Sequence, residues 1–568
     1  MNMSRKFTTA LLLIASLGLA LSACSKRGQE QAKPLLENEV LAKLPAATAG
    51  FLAFDFQSEA YKRFRASRHP GRNLVTQLRN IGSKANMKAL AAMAEAMEKS
   101  GLLVTSPGQE EAFNVGLAFI SADPNRPRVE AGVYFTGALQ VDLSKKVEIL
   151  RSVLSSQGLH LQPETFGQVQ GFSLVTEAVP LSPGGGDSPP LLPAVYVGAQ
   201  SKYLAVASRP DMVSYLLSGR SENGIQALRQ SAAFKKASQA LDAPAGQFAF
   251  GYLDLQSLAG KAAEFLPPGA ELEALNEFPF EVLVVSRSMG DDQSLVDKLA
   301  LTLTPKSDDQ RRWFSSLPAS GDTSALGGLP AGTVLALSVQ GGLLRHLRDG
   351  ALLEAPAEKQ EPLKKSLALL DSMTSVAVGL RAGSGASPFP ELMVIADSRE
   401  AAEVMSGLQN QIQAALTQSA MPVSPWQQKE MAGVQTQFIV SPFGIGAYLA
   451  AGGHRVVLAS SEKAMQDVIA ALKDKSKGLL AGALSPHARS LAGNSGAQAV
   501  FYGDFESLAD ALGSLQGSLA MFTGGRGFLD PEQAQALKDM GSITAAASYD
   551  KLTLRLQMNH ARPKNAGK

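Results

Sequence analysis

The alternation of apolar and polar residues changes period along this chain in a recurring order. Val129 to Thr136 (VEAGVYFT) alternates with a period of two and is rich in β-branched and aromatic residues, which predicts a strand. The next segment, DLSKKVEILRSVLSS, changes to a helical period. Val147, Leu150 and Leu154 share one face, and Ile149 and Val153 flank it. A second helix in the same setting is predicted after Ser398, on a stripe of Val404, Leu408 and Ile412. Many strand-like runs are separated by short turns rather than helices. Such turns join antiparallel neighbours, so the pattern predicts an α+β fold: mainly antiparallel sheet with helices packed on one face. An alternating α/β parallel sheet is the second reading.

The pattern occurs twice. YVGAQSKYLAVAS (Tyr196 to Ser208) aligns with YLAAGGHRVVLAS (Tyr448 to Ser460) at an offset of 252 residues. FAFGYLDLQSLAG around Asp254 aligns with AVFYGDFESLADA around Asp504 at 250, and DKLALTL from Asp297 with DKLTLRL from Asp550 at 253. Upstream the offset grows. Gly116 in NVGLAF matches Gly379 in VAVGLRA at 263, and Val169 in QVQGFSLV matches Val434 in GVQTQFIV at 265. The change falls where the first copy carries LSPGGGDSPPLLP (Leu181 to Pro193), whose Gly and Pro mark a surface-loop insertion. One insertion reconciles the five alignments, which is the mark of an internal repeat. Both copies open alike, Leu44 to Ala60 (LPAATAGFLAFDFQSEA) against Leu329 to Leu344 (LPAGTVLALSVQGGLL). The chain is therefore expected to hold two tandem homologous domains, 42–305 and 325–560, with a polar linker at 306–324 and a tail at 561–568.

Composition narrows the function. The 53 Lys and Arg stand against 51 Asp and Glu, and residues 1–23 hold two of those cations and no acid, so the rest is formally neutral. A neutral body argues against nucleic acid, which demands a basic face. It equally argues against electrostatic membrane binding. Only two tryptophans occur, Trp313 and Trp426, fewer than sugar-binding platforms usually carry.

The N-terminus carries the most specific signal. Arg5 and Lys6 precede an uncharged apolar run from Phe7 to Leu21, too short for a comfortable membrane span. It ends in Leu21-Ser22-Ala23-Cys24, and Cys24 is the only cysteine of 568 residues. This block resembles the lipobox of bacterial lipoproteins. The resemblance implies that 1–23 is a signal peptide removed by signal peptidase II, and that the Cys24 thiolate takes a diacylglycerol. Each buried CH₂ contributes ~0.8 kcal/mol, so two or three chains anchor a protein firmly. Ser25 and Lys26 follow, and the absence of Asp there implies an outer-membrane anchor facing the periplasm. Residues 24–41, charged and Gln-rich, read as a polar tether.

No catalytic motif stands out. The most repeated unit is a strand followed by Asp, an apolar residue, Gln or Glu, and Ser: Asp55-Phe56-Gln57-Ser58, Asp254-Leu255-Gln256-Ser257 and Asp504-Phe505-Glu506-Ser507, with Ser338-Val339-Gln340-Gly341 as a degenerate fourth. Asp55, Asp254 and Asp504 are candidate binding carboxylates. The same residues also suit helix N-caps, and a change from Asp to Ser preserves capping while losing a charged ligand. Ser460-Ser461-Glu462-Lys463 matches Ser-x-x-Lys, yet its partner motifs Ser-Asp-Asn and Lys-Thr-Gly are missing and its counterpart reads Ser208-Arg209-Pro210-Asp211. Ser208 and Ser460 are therefore expected to start helices. The six histidines show no metal-ligand spacing, so neither a metal nor a cofactor is expected. Gly524 to Gly527 reads as a loop, and Asp291-Asp292 and Asp308-Asp309 as solvated turns.

The LP-x-x-T opening and the strand that ends in Ala-Ser, at Ser208 and Ser460, are similar to duplicated α+β exported bacterial proteins of unknown function. That resemblance implies fold and compartment. The expectation is a non-catalytic, lipid-anchored envelope protein that binds a protein or an apolar ligand. A hydrolase with a dispersed site and a structural spacer are the alternatives.

Overall fold

The computed structural model describes residues 39–65, 96, 99–100, 113–123, 130–137, 142–156, 161–175, 194–218, 224–241, 247–262, 279–290, 294–318, 321–383, 389–418, 425–440, 446–482, 484, 486–493, 496–523, 530–550 and 552–561. The expected signal peptide at 1–23, Cys24 and the part of the expected tether before residue 39 lie outside them. So do the insertion at 181–193, Asp291-Asp292 and Gly524 to Gly527. The described residues form two compact units, 39–289 with 297–307, and 290–296 with 308–561. The fold is mixed α+β, and every strand pair with a defined register is antiparallel.

The first unit contains β1 (Thr48–Asp55), β2 (Phe113–Ser121), β3 (Glu130–Gly137), β4 (Leu161–Phe166), β5 (Val169–Val175), β6 (Ala194–Gln200), β7 (Tyr203–Ala207), β8 (Gln247–Asp254), β9 (Phe280–Met289) and, from Asp297 onward, β10 (Leu295–Leu303). Their spatial order is β4-β5-β6-β7-β3-β2-β1-β8-β9. β10 follows on β9, where Thr304 N–H donates to the Pro279 carbonyl at 2.7 Å.

The second unit contains β11 (Leu335–Gln340), β12 (Met373–Arg381), β13 (Glu391–Ser398), β14 (Gln427–Met431), β15 (Val434–Val440), β16 (Gly446–Gly452), β17 (Arg455–Ala459), β18 (Ala499–Asp504), β19 (Ser542–Asp550) and β20 (Thr553–Ala561). Their order is β14-β15-β16-β17-β13-β12-β11-β18-β19-β20, which is the order of the first unit strand for strand.

The registers agree as well. Tyr196 faces Ala207, and Tyr448 faces Ala459. Phe166 faces Val169 across a two-residue turn, and Met431 faces Val434 across another. That second turn holds Ala432 and Gly433 at φ 50° and 75°, the left-handed backbone a tight hairpin requires. Phe51 faces Tyr252, and Ala336 faces Tyr502, which supports the alignments that begin at Leu44 and around Asp254.

Two sequence alignments shift. Following the paired strands across each sheet sets Gly116 level with Val376 rather than Gly379, three residues away. The same path sets Asp297 level with Leu556 rather than Asp550. Asp550 ends β19 at a turn, whereas Asp297 lies inside β10. Recurring letters there do not share a place in the fold.

The helices correct a second expectation. Helix α1 (Glu59–Arg65) follows β1, and α2 (Leu143–Ser156) buries Leu143, Val147, Leu150 and Leu154 as its period predicts. Further on come α3 (Pro210–Leu217), α4 (Gly224–Gln230), α5 (Ala232–Leu241) and α6 (Leu255–Ala262). Tyr134 and Ala205 pack with α3, α4 and α5, while their chain neighbours Phe135 and Leu204 pack with α2. Adjacent strand residues point to opposite faces, so α2 lies across the sheet from the other three. Helices thus cover both faces rather than one.

The second unit begins with α7 (Asp308–Ser315), followed by α8 (Gly341–Glu354), α9 (Ala357–Leu367) and α10 (Ala401–Gln418). Then come α11 (Glu462–Lys473), α12 (Pro486–Ala492), α13 (Phe505–Thr523) and α14 (Pro531–Asp539). There α11 and α12 pack with Ile395 and Val457, and α10 with their neighbours Ala396 and Val456. The expected linker at 306–324 contains α7, whose Phe314 is buried. Asp308 and Asp309 are the first helical turn of α7, not a loop; they favour the positive end of the helix dipole and pair with Arg311 and Arg312.

Candidate functional site

Two of the three candidate carboxylates, Asp254 and Asp504, are helix caps. Asp55 Oδ1 accepts the backbone N–H of Gln57 at 3.0 Å and of Ser58 at 2.9 Å. Asp254 Oδ1 accepts from Ser257 N–H at 2.9 Å while its Oδ2 accepts the Ser257 hydroxyl at 2.8 Å. Asp504 Oδ1 accepts from Ser507 N–H at 3.0 Å. Asp254 and Asp504 thus satisfy a donor that a helix start leaves orphaned, whereas Asp55 closes the turn before α1, whose cap is Ser58, with Oγ accepting from Tyr61 N–H at 3.1 Å. Burial raises the Asp55 carboxyl above its usual range, although the two N–H bonds oppose the shift. The fourth instance is displaced by two residues. Ser338 lies within β11, buried on the core face, and Gln340 caps α8 by accepting from Leu343 N–H at 3.0 Å.

Ser208 and Ser460 do not start helices. Each continues its strand by one residue: Ser208 exchanges two bonds with Ala131, and Ser460 two with Leu392. The cap of α11 is Ser461, which accepts from Ala464 N–H at 3.0 Å and donates to Glu391 at 2.6 Å. In the first unit Arg209 occupies that cap position without a side-chain cap bond and binds Glu130 at 2.6 Å. Glu130 and Glu391 begin matching strands. One takes its arginine from the cap and the other from Arg381 at the end of β12. The Ser-x-x-Lys string builds no nucleophile, because Lys463 pairs with Asp467.

The most informative place lies at one end of each sheet, beneath a short 3₁₀ helix. In the first unit that helix is Glu39–Lys43, and it roofs a recess of about 250 Å³ lined by Glu39, Val40, Asn114, Val115, Thr136, Gly137, Lys202 and Tyr203. In the second unit the 3₁₀ helix is Ser324–Gly328, and the matching space is occupied by an ionic cluster. Asp397 replaces Thr136 and Arg455 replaces Tyr203, and each pair is directly cross-strand. Asp397 is 2% exposed. Its Oδ1 accepts from Arg455 Nε at 2.6 Å, and its Oδ2 accepts the hydroxyls of Ser324 and Ser375, both at 3.1 Å. His454 Nε2 stands 3.6 Å from the same carboxylate.

This cluster gathers Ser, His and Asp, but in an order that does no nucleophilic chemistry. A triad needs the imidazole between the hydroxyl and the carboxylate. Here the carboxylate lies between, and Ser375 donates its proton to it. Among the described residues, the nearest approach to a nucleophile and base is Ser316 with His346 Nδ1, 3.0 Å apart. The Ser316 hydroxyl, however, donates to the Trp313 carbonyl at 2.8 Å, so the ring nitrogen serves as donor rather than base. Burial holds His346 below the usual histidine range. Among the described residues, no group of three or more His, Cys, Asp or Glu could hold a metal ion.

A second feature is apolar. Phe501, Leu337, Val378, Val394 and Leu458 face one another in one row across five strands of the second unit. The row lies on the face that α10 covers at its other end. Leu337 is 45% exposed, Val378 36%, and the neighbouring Leu392 41%. The equivalent row of the first unit is Gly251, Leu52, Ala118, Val133 and Val206. It has smaller side chains, none of them fully exposed. Sequence reasoning missed this row, because both faces of these strands are apolar and simple alternation does not mark the open one.

No protein-family model, curated protein or solved structure matches the chain. Among the described residues, no helix is long and apolar enough to cross a membrane.

Proposed function

We propose that the chain is a duplicated, non-catalytic lipoprotein of the bacterial cell envelope. In this reading Cys24 anchors it to the outer membrane, facing the periplasm, and two tandem homologous domains form the body. The repeated strand order and registers support the duplication. The body binds a protein or an apolar ligand on the open row of the second unit. The observation that carries this reading is the exposure of Leu337, Val378 and Leu392 side by side. Contiguous apolar patches on a protein surface mark sites of association. The Ser–Asp–His order at Asp397 does not place an imidazole to activate either serine.

The anchor and the surface are tested separately. Cys24→Ser should release the body from membranes or leave an uncleaved precursor, while fatty-acid labelling should mark the wild type alone. Leu337→Asp with Val378→Asp should abolish crosslinking to the envelope partner or uptake of an apolar fluorophore, and leave the thermal midpoint within about 2 °C, as expected of surface substitutions. Unchanged crosslinking and uptake in that variant would remove the row from the function.

A further inference from the structure

We propose that the recess of the first unit is a binding site for a small organic monocarboxylate, held where the second unit holds the side chain of Asp397. The two places are the same position in the same strand order. Each carries a backbone bond that locks the strand end: Gly137 N–H donates to the Lys202 carbonyl at 2.5 Å, and Ser398 N–H to the His454 carbonyl at 2.7 Å. In the second unit a carboxylate fills the space and meets one cation and two hydroxyls. In the first unit the residue at that point is Thr136, which is shorter and uncharged, and the space is open.

The groups that hold Asp397 are replaced here by Glu39, Val115 and Tyr203, so a guest is held by a different set of donors. Thr136 Oγ1 accepts the Val115 N–H at 3.3 Å, which leaves its own proton to donate. Asn114 Nδ2 gives one proton to the Gly137 carbonyl at 3.0 Å and retains a second. Lys202 supplies the cation, its ammonium 5.5 Å from the Tyr203 ring centre. Val40 and Val115 give apolar walls for the carbon end. A water takes ~30 Å³ in the liquid, so the recess has room for a carboxylate with a few carbons. Glu39 is exposed at the rim and repels a carboxylate there, a dianion more strongly than a monoanion, which favours monocarboxylates over dicarboxylates. This site is independent of the apolar row in the other unit.

The test titrates acetate and succinate into the purified full-length chain, followed by ligand-observed NMR. Wild type should bind acetate saturably and succinate at least threefold more weakly. Thr136→Asp installs the carboxylate of the second unit and should weaken acetate at least tenfold. Lys202→Ala, on an exposed side chain, should weaken it at least threefold without loss of fold. In the reciprocal experiment Asp397→Ala vacates the second position, and acetate should raise the melting temperature of that variant more than that of wild type. Absence of saturable acetate binding, or equal affinity in wild type, Thr136→Asp and Lys202→Ala, would overturn the proposal. Succinate binding as tightly as acetate would overturn the role of Glu39.

Discussion

The two units set the same strands in the same order and then place their charges differently. In the first unit Arg287 of β9 and Asp297 of β10 form a buried bidentate pair, with the arginine 1% exposed. The matching cross-strand position in the second unit is Ala547 with Leu556. Conversely, the second unit pairs Asp397 with Arg455 where the first pairs Thr136 with Tyr203. Backbone register is therefore fixed by what the two share: apolar alternation, hairpin turns and capping residues. The ion pairs are local solutions, replaceable by an apolar pair at one site and by an open recess at the other. Buried ion pairs are weak contributors to net stability for the same reason, since desolvation offsets most of the attraction.

The largest expected effect breaks the first of these pairs. Asp297→Ala removes the carboxylate that pairs with a buried guanidinium and should cost about 3–5 kcal/mol in urea unfolding. The double change Arg287→Ala with Asp297→Leu installs the pair of the second unit and should restore stability to within about 1 kcal/mol of wild type. A double variant as unstable as the single one would show that the pair is not interchangeable.

Capping comes next. Ser58→Ala, Asp254→Ala and Asp504→Ala should each cost about 1 kcal/mol, and the Asn variants of the two aspartates only a few tenths, because Asn retains the acceptor. Loss of stability in the Asn variants would point to a role for the charge itself.

A smaller effect separates the units by pH. His346 in α8 occupies the position that Tyr61 holds in α1, and burial depresses its affinity for a proton. As pH falls through the ordinary histidine range, the unfolded chain takes up that proton before the folded one does. Stability from this site is thus complete above that range and is lost on acidification. His346→Tyr, copying the first unit, should reduce the drop in urea midpoint between about pH 7.5 and about pH 5.5. An identical drop in the variant would remove His346 from the acid response.

What could be read from the chain follows from how local each signal is. The hairpin Tyr196 to Ser208, the face of α2 and the caps at Asp254 and Asp504 rest on neighbours within a few residues, and the sequence pattern carries them; the same spelling at Asp55 places the cap three residues on, at Ser58. The Asp397 cluster does not: its partners Ser324, Ser375 and Arg455 come from a 3₁₀ helix and two other strands, and only the strand order brings them together. Motif letters also misled. Ser338-Val339-Gln340-Gly341 resembles the Asp motif by spelling, but the register makes Gln340 the cap. DKL recurs at Asp297 and Asp550 on different parts of a hairpin. The recess was invisible for a further reason: it arises from a side chain that is too short, and no residue type announces a space.

The equivalence of the two positions beneath the 3₁₀ helices is the claim on which the rest depends, and a double-mutant cycle tests it directly. Thr136→Asp and Tyr203→Arg, singly and together, should rebuild in the first unit the pair that the second unit has. Equilibrium urea unfolding should then show the double variant more stable than the two single changes sum to, with a coupling of about 1 kcal/mol or more. A coupling of zero would contradict the account, since the introduced carboxylate and guanidinium would then not meet as those of Asp397 and Arg455 do.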